Sequence, residues 1–212
     1  VIRVLLADDH EVIRSGIRRL FELEVDIDVI GEAESGEQAY ELYNKLSPDV
    51  LLMDMSMPGI GGLEALKRIL ARDSKAKVVI FSMHENPTFA TQALTNGATA
   101  YIVKSDRPQE IANAVRLAAG GKGHLSTVMA NKIALQSMTN FNNPADNLTA
   151  REFEVFRLIA EGKSHESIGK TLNIGQKTVS NYQTILKQKL GIETAVEFVR
   201  LAMRCGVIES NF

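Results

Sequence analysis

The run Val50-Leu-Leu-Met-Asp54 decides the fold. Four apolar residues stop at a carboxylate, the form of a short buried strand whose far end carries a functional group. Comparable runs stand at residues 2–7, 27–31, 78–81 and 100–103. Between them the apolar spacing changes to that of a helix. Val12, Ile13, Ile17, Leu20 and Phe21 form one stripe, and Leu63, Leu66, Ile69 and Leu70 another. Phe89, Ala93 and Leu94, then Ile111 and Val115, continue the pattern. Five strands alternating with five helices predict right-handed βαβ units. The expectation is an α/β domain over residues 1–121, a doubly wound five-stranded parallel sheet covered on both faces.

After Gly120-Gly121 the pattern changes. Ser126 is placed to cap a short helix carrying Val128, Met129, Ile133 and Leu135, and residues 140–147 form a polar, Pro-interrupted stretch. Residues 122–147 are therefore expected to be a linker with a short helix. From Leu148 to the end the chain is expected to be all-α. Thr149 with Glu152, and Thr194 with Glu197, have the spacing of capping boxes. A helix starting at Ser164, a tight turn at 173–175 and a longer helix to about Leu190 have the proportions of a helix-turn-helix.

Composition narrows the function. The chain has 212 residues, 45% hydrophobic and 24% charged, which excludes a disordered or low-complexity protein. Apolar runs of four or five residues are far short of the ~20 needed to span a membrane, so no membrane partner is expected. Residues 1–7 run into two aspartates without a cleavage pattern, so no secretory leader is expected. The lone Cys205 cannot form an internal disulfide, which fits a cytoplasmic location. The net charge of −2 hides an asymmetry: residues 1–120 carry 13 basic against 18 acidic side chains, whereas residues 163–190 carry five lysines and one glutamate. An acidic front and a locally basic back suggest different partners.

In a doubly wound sheet, functional groups gather beyond the carboxyl ends of the strands. Here those ends bring Asp8 and Asp9, Asp54, Ser82 and Lys104. One aspartate at a strand end is usually a turn former or helix cap; such residues at four of five ends are not explained that way. Converging carboxylates repel unless a cation joins them. Oxygen donors without a His/Cys cluster favour Mg²⁺. Asp54 is then a candidate nucleophile towards phosphorus, with Lys104 neutralising the transferred group.

Asp8-Asp9-His10, Met53-Asp54-Met-Ser56-Met-Pro-Gly59, Ser82 and Gly97-Ala98 through Tyr101 to Lys104 resemble the receiver domain of bacterial response regulators. The resemblance covers essentially all of residues 1–120. It implies that Asp54 accepts a phosphoryl group from a sensor histidine kinase. It also implies that Asp8, Asp9, Asp54 and the Ser56 backbone carbonyl bind Mg²⁺. It further implies that Ser82 and Tyr101 are a switch pair, the hydroxyl moving onto the phosphoryl oxygens while the ring turns inward. Ser56 and His84 would flank the path of the water that removes the phosphoryl group. The chain would promote only its own phosphorylation and dephosphorylation and would not be an enzyme otherwise.

Leu148-Thr-Ala-Arg-Glu152, Ala160-Glu-Gly162, Ile168 to Leu172 and Lys177 to Gly191 are similar to the LuxR-type helix-turn-helix. Joined to a receiver, that is the NarL/FixJ class, and residues 178–182 with 196–202 resemble its GacA/UvrY branch. Double-stranded DNA is thus the expected partner, with a homodimer in the active state. On the third helix, Lys177, Thr178 and Lys187 suit phosphates, whereas Ser180, Asn181 and Thr184 suit base edges. Departures from the family pattern are Gly169 where Ala is preferred, and Gly175 where Ser usually caps. The Gly cap costs only a few tenths of a kcal/mol. The receiver is expected to cover this helix until phosphorylated. Two other readings are weaker. A dehalogenase-type phosphatase would need a general-acid Asp where Ser56 stands, and a helical domain binding RNA or protein would not call for the helix-turn-helix spacing.

Overall fold

The computed structural model describes residues 1–138 and 143–208. The strands are β1 (Ile2–Ala7), β2 (Ile27–Ala33), β3 (Val50–Met53), β4 (Val78–Ser82), β5 (Ala100–Val103) and β6 (His124–Leu125). All pairings are parallel, in the order β2-β1-β3-β4-β5-β6. The sheet therefore has six strands where five were expected. The sixth is a two-residue extension on the edge beside β5, within the expected linker and too short to leave a periodic signal.

Strands β1, β3, β4 and β5 bury alternate residues on opposite faces, as a parallel sheet requires. Val4, Leu6, Val50, Leu52, Val79, Phe81 and Ile102 pack beneath α1 (Glu11–Phe21) and α5 (Pro108–Ala119). Leu5, Leu51, Met53, Ile80 and Tyr101 lie on the opposite face, under α2 (Gly36–Leu46), α3 (Gly61–Arg72) and α4 (Pro87–Thr95). One expected core residue is misplaced: Val12 is 83% exposed, because only Ile13, Ile17, Leu20 and Phe21 of α1 turn inward.

Helix α6 (Thr127–Met138) starts at Ser126, whose hydroxyl accepts the Met129 N–H. It buries Met129 and leaves Val128 and Leu135 exposed. The expected polar stretch at 140–147 falls partly outside the described residues; its end, Pro144–Asn147, is one 3-10 turn.

The C-terminal helices are α7 (Ala150–Ala160), α8 (His165–Leu172), α9 (Gln176–Leu190) and α10 (Ala195–Arg204). Both capping boxes form, with Thr149 accepting from the Glu152 N–H and Thr194 from the Glu197 N–H. Phe153, Phe156, Ile168, Val179, Leu186 and Phe198 make the core of this part. That core is continuous with the α3–α4 face of the sheet, so α7 is buried on nearly every side. Among the described residues, no helix is long and apolar enough to cross a membrane.

Candidate functional site

The strand order places β1 beside β3, with helices departing to opposite faces, and a crevice opens beyond their carboxyl ends. Asp8 follows β1 and Asp54 follows β3, and both are almost completely buried. The Lys104 ammonium, from the end of β5, lies between them, 2.5 Å from Asp8 Oδ2 and 3.0 Å from Asp54 Oδ2. Burial pushes the Asp54 carboxyl above its ordinary value despite Lys104. Burial opposes the Lys104 charge, but Asp54 and Asp8 outweigh it and hold its pKa above the ordinary lysine value.

Asp9 is exposed at the rim. Ligand atoms of Asp8, Asp9, His10 and Asp54 all lie within 4.8 Å of one another. Three carboxylates offering hard oxygen atoms to one point fit a divalent cation. His10 was not expected here; its Nδ1 lies 3.1 Å from Asp8 and 3.0 Å from Asp9. Gly62 makes the loop after Asp54 possible, since a Cβ there would meet the Asp54 carbonyl oxygen at 2.2 Å.

The other expected residues surround the carboxylates. The exposed Ser56 donates its backbone N–H to Asp54 Oδ1 at 3.3 Å, and its hydroxyl lies 3.3 Å from His84 Nε2. Ser82 is fully buried and its hydroxyl accepts the His84 N–H. Tyr101 already points inward, 1% exposed, donating its hydroxyl to the His84 carbonyl at 2.7 Å. The His84 ring stacks on Phe89 at 3.7 Å. Its pKa is pushed down to about 4, by burial first and then by the charges of Arg157 and Lys104.

The second candidate surface is on α9. Lys177, Thr178, Ser180, Asn181 and Thr184 are exposed along one side and Lys187 is half-buried. Thr184 donates its hydroxyl back to the Ser180 carbonyl, and Ser180 Oγ lies 3.3 Å from His165 Nδ1. His165 on α8 is a neighbour that the helical pattern of α9 alone could not reveal. Gly169 has a physical reason: a Cβ there would stand 2.7 Å from the Ile174 carbonyl in the turn. Gly175 starts α9 without a side-chain cap, as expected.

Contact between the two parts lies elsewhere, which corrects the expectation that the receiver covers α9. Helix α7 is gripped, together with the C-terminal ends of α8 and α10. Arg151 donates to the carbonyls of Gly59 and Ile60 in the loop after Asp54, and to Leu172 in the helical part. The Gly59 N–H donates to the Thr171 carbonyl. Phe89 of α4 meets Phe153 edge-on at 5.3 Å. Around α4, Thr88 donates to the Cys205 carbonyl, Asn143 to Thr88, and Gln92 to the Ala145 carbonyl. The reason is apolar surface: α3 and α4 present Leu63 and Phe89 to the apolar flank of α7, whereas the outward side of α9 is mainly polar, with Ile185 its exposed apolar exception.

Residues 4–116 match the family described as the response regulator receiver domain, and residues 146–202 the bacterial regulatory proteins of the luxR family. The chain is a response regulator with a LuxR-type DNA-binding domain. It is 36% identical to the response regulator UvrY of Escherichia coli strain K12, over 100% of this chain and 98% of that one. To the response regulator GacA of Pseudomonas aeruginosa it is 35% identical, over 99% of each chain. RcsB of Salmonella enterica serovar Typhimurium, solved bound to promoter rprA with the phosphomimetic BeF3−, superposes with a TM-score of 0.70. That match covers 94% of this chain and 97% of RcsB at 26% identity. These likenesses establish a transcriptional regulator of the receiver and helix-turn-helix type rather than a classical enzyme.

Proposed function

We propose that this chain is a cytoplasmic regulator whose Asp54 accepts a phosphoryl group from a sensor histidine kinase, and that its phosphorylation controls binding of double-stranded DNA by α9. The observation that carries this reading is the Lys104 ammonium held between two buried carboxylates at the carboxyl edge of the sheet. An Asp54 oxygen attacks phosphorus, the bond to the kinase histidine nitrogen breaks, and an acyl phosphate results. Lys104, freed from part of its pairing with Asp54, neutralises the phosphoryl oxygens. Asp8, Asp9, Asp54 and the Ser56 carbonyl would hold Mg²⁺, which supplies charge neutralisation to the incoming phosphoryl group.

Ser82 then turns its hydroxyl to the phosphoryl oxygens and gives up its bond from the His84 N–H. Tyr101 donates to the His84 carbonyl and the His84 ring stacks on Phe89 of α4, so the loop leading to α4 is disturbed. Because α4 and the loop after Asp54 carry the contacts to α7, α10 and residues 143–145, phosphorylation loosens the docking of the helical part. We assign residues 1–121 to the receiver, 122–147 to the linker and 148–212 to the DNA-binding domain. A homodimer is the expected DNA-bound form, since paired half-sites double the contacts.

Incubation with acetyl phosphate and Mg²⁺ should add one phosphoryl group to the chain and none to Asp54→Asn. Equal labelling of Asp54→Asn overturns the assignment.

A further inference from the structure

We propose that Arg14 is a positioning residue for the cation-binding loop, fixing the direction of Asp8 and Asp9 through the Asp8 carbonyl. The inference rests on the reading of Asp8, Asp9 and Asp54 as the cation site and extends it to a residue outside that cluster.

Arg14 lies on α1 with its side chain 8% exposed. Its guanidinium makes three contacts in three directions. Nη1 donates to the Asp8 carbonyl at 2.7 Å, Nη2 to Glu34 Oε1 at 2.7 Å, and Nε to Glu32 Oε2 at 3.3 Å. The two glutamates anchor it. Glu32 stands on β2 and also receives Arg18, while the Glu34 backbone is tied to Gln38 at the start of α2. Nη1 reaches the loop.

That loop needs holding. Asp8, Asp9 and Asp54 converge against the single ammonium of Lys104, so repulsion between the carboxylates works to spread them. Helix α1 begins after His10 without a side-chain cap. The His10 N–H instead donates to Asp8 Oδ1 at 2.9 Å, which ties the Asp8 carboxylate to the loop but leaves the Asp8–Asp9 peptide to be held from elsewhere. Asp8 is fastened at its N–H by the Ala33 carbonyl and at its own carbonyl by Arg14. The peptide group is planar, so fixing the Asp8 carbonyl also fixes the Asp9 nitrogen, and with it where both side chains set out. The planar guanidinium sends donors from three separate nitrogens in fixed directions to these three acceptors. A lysine ammonium keeps the charge and three donors but concentrates them on one nitrogen and loses that geometry.

The ordinary alternative is that Arg14 merely ties α1 to β2 as an ion pair. Calorimetric titration of the full chain with MgCl2 separates the two. Arg14→Lys should raise the Mg²⁺ dissociation constant about tenfold, the usual cost of removing a partner that orients a metal ligand. Arg116→Lys, which perturbs an ion pair with Glu24 and Asp26 on the far side of α5, should leave it unchanged. Wild-type Mg²⁺ affinity in Arg14→Lys, with or without a lowered melting temperature, overturns the proposal. Should Arg14→Lys not fold, Glu34→Gln carries the test by loosening the fork: a weaker Mg²⁺ affinity supports the role and an unchanged one overturns it. Absence of Mg²⁺ binding by the wild type would overturn the cation site itself, and this role with it.

Discussion

Ser56 and His84 touch across the mouth of the acceptor site, 3.3 Å apart. With its pKa near 4, His84 is neutral at physiological pH and offers a lone pair or an N–H rather than a cation. If this pair borders the route of the hydrolytic water, Ser56→Ala with His84→Ala should change the lifetime of phosphorylated Asp54 several-fold. Phosphate release from acetyl-phosphate-labelled chain measures it, and an unchanged rate would refute the role. At this scale the sequence was informative wherever a functional group ends an apolar run, as with Asp8, Asp54, Ser82 and Lys104. It was silent where the role depends on a distant partner. Arg14 looks like any exposed helical arginine until β2 is folded against it.

Elements were legible when their signals were local. The two capping boxes, the Gly162 stop and the α8–α9 turn follow from a few neighbouring residues. Strand β6 was missed because two residues carry no period, and Val12 was misplaced because α1 buries a narrower stripe than its apolar residues cover. Helix α9 carries the DNA prediction. Lys177→Ala and Lys187→Ala should weaken binding to all sequences alike and each lower the salt slope by about one. Asn181→Ala should cost roughly 1–3 kcal/mol at particular base pairs and relax discrimination there. Competition titrations with altered duplexes decide it; the opposite pattern would exchange the readout and positioning roles.

For the whole molecule, the docked arrangement was the least legible feature, since each domain's pattern is complete without it. Only after docking is Glu154 of α7 buried, facing Arg151 and Arg157 on its own helix and Gly61 and Glu64 on α3. A Cβ at Gly61, where φ is +73°, would overlap the Glu154 carboxyl. Burial pushes that carboxyl up to about 8, although Arg151 lies 3.1 Å away, since Arg151 is shared with three backbone carbonyls. Undocked and exposed to water, the group is expected to fall back towards the ordinary carboxylate value of 4.5. Docking therefore takes up a proton between those two values. It is fully supported below the lower one, weakens as pH rises through the window and levels off above the upper. Small-angle scattering should show the wild type expanding from pH 6 to 8.5 and Glu154→Gln, which cannot ionise, staying constant. The same expansion in Glu154→Gln would remove this carboxyl from the account.

The central claim is that phosphorylation of Asp54 governs DNA binding by helix α9, which begins at Gln176 in the other domain. A phosphoryl group adds negative charge and cannot itself attract DNA, so the control must act through the docking of α7 and through pairing of the helical domains. Genome-wide footprinting of the wild type and of Asp54→Asn, each with and without phosphorylation, measures this most directly. The account predicts footprints that strengthen on phosphorylation in the wild type and do not respond in Asp54→Asn. Wild-type footprints that ignore phosphorylation would contradict it.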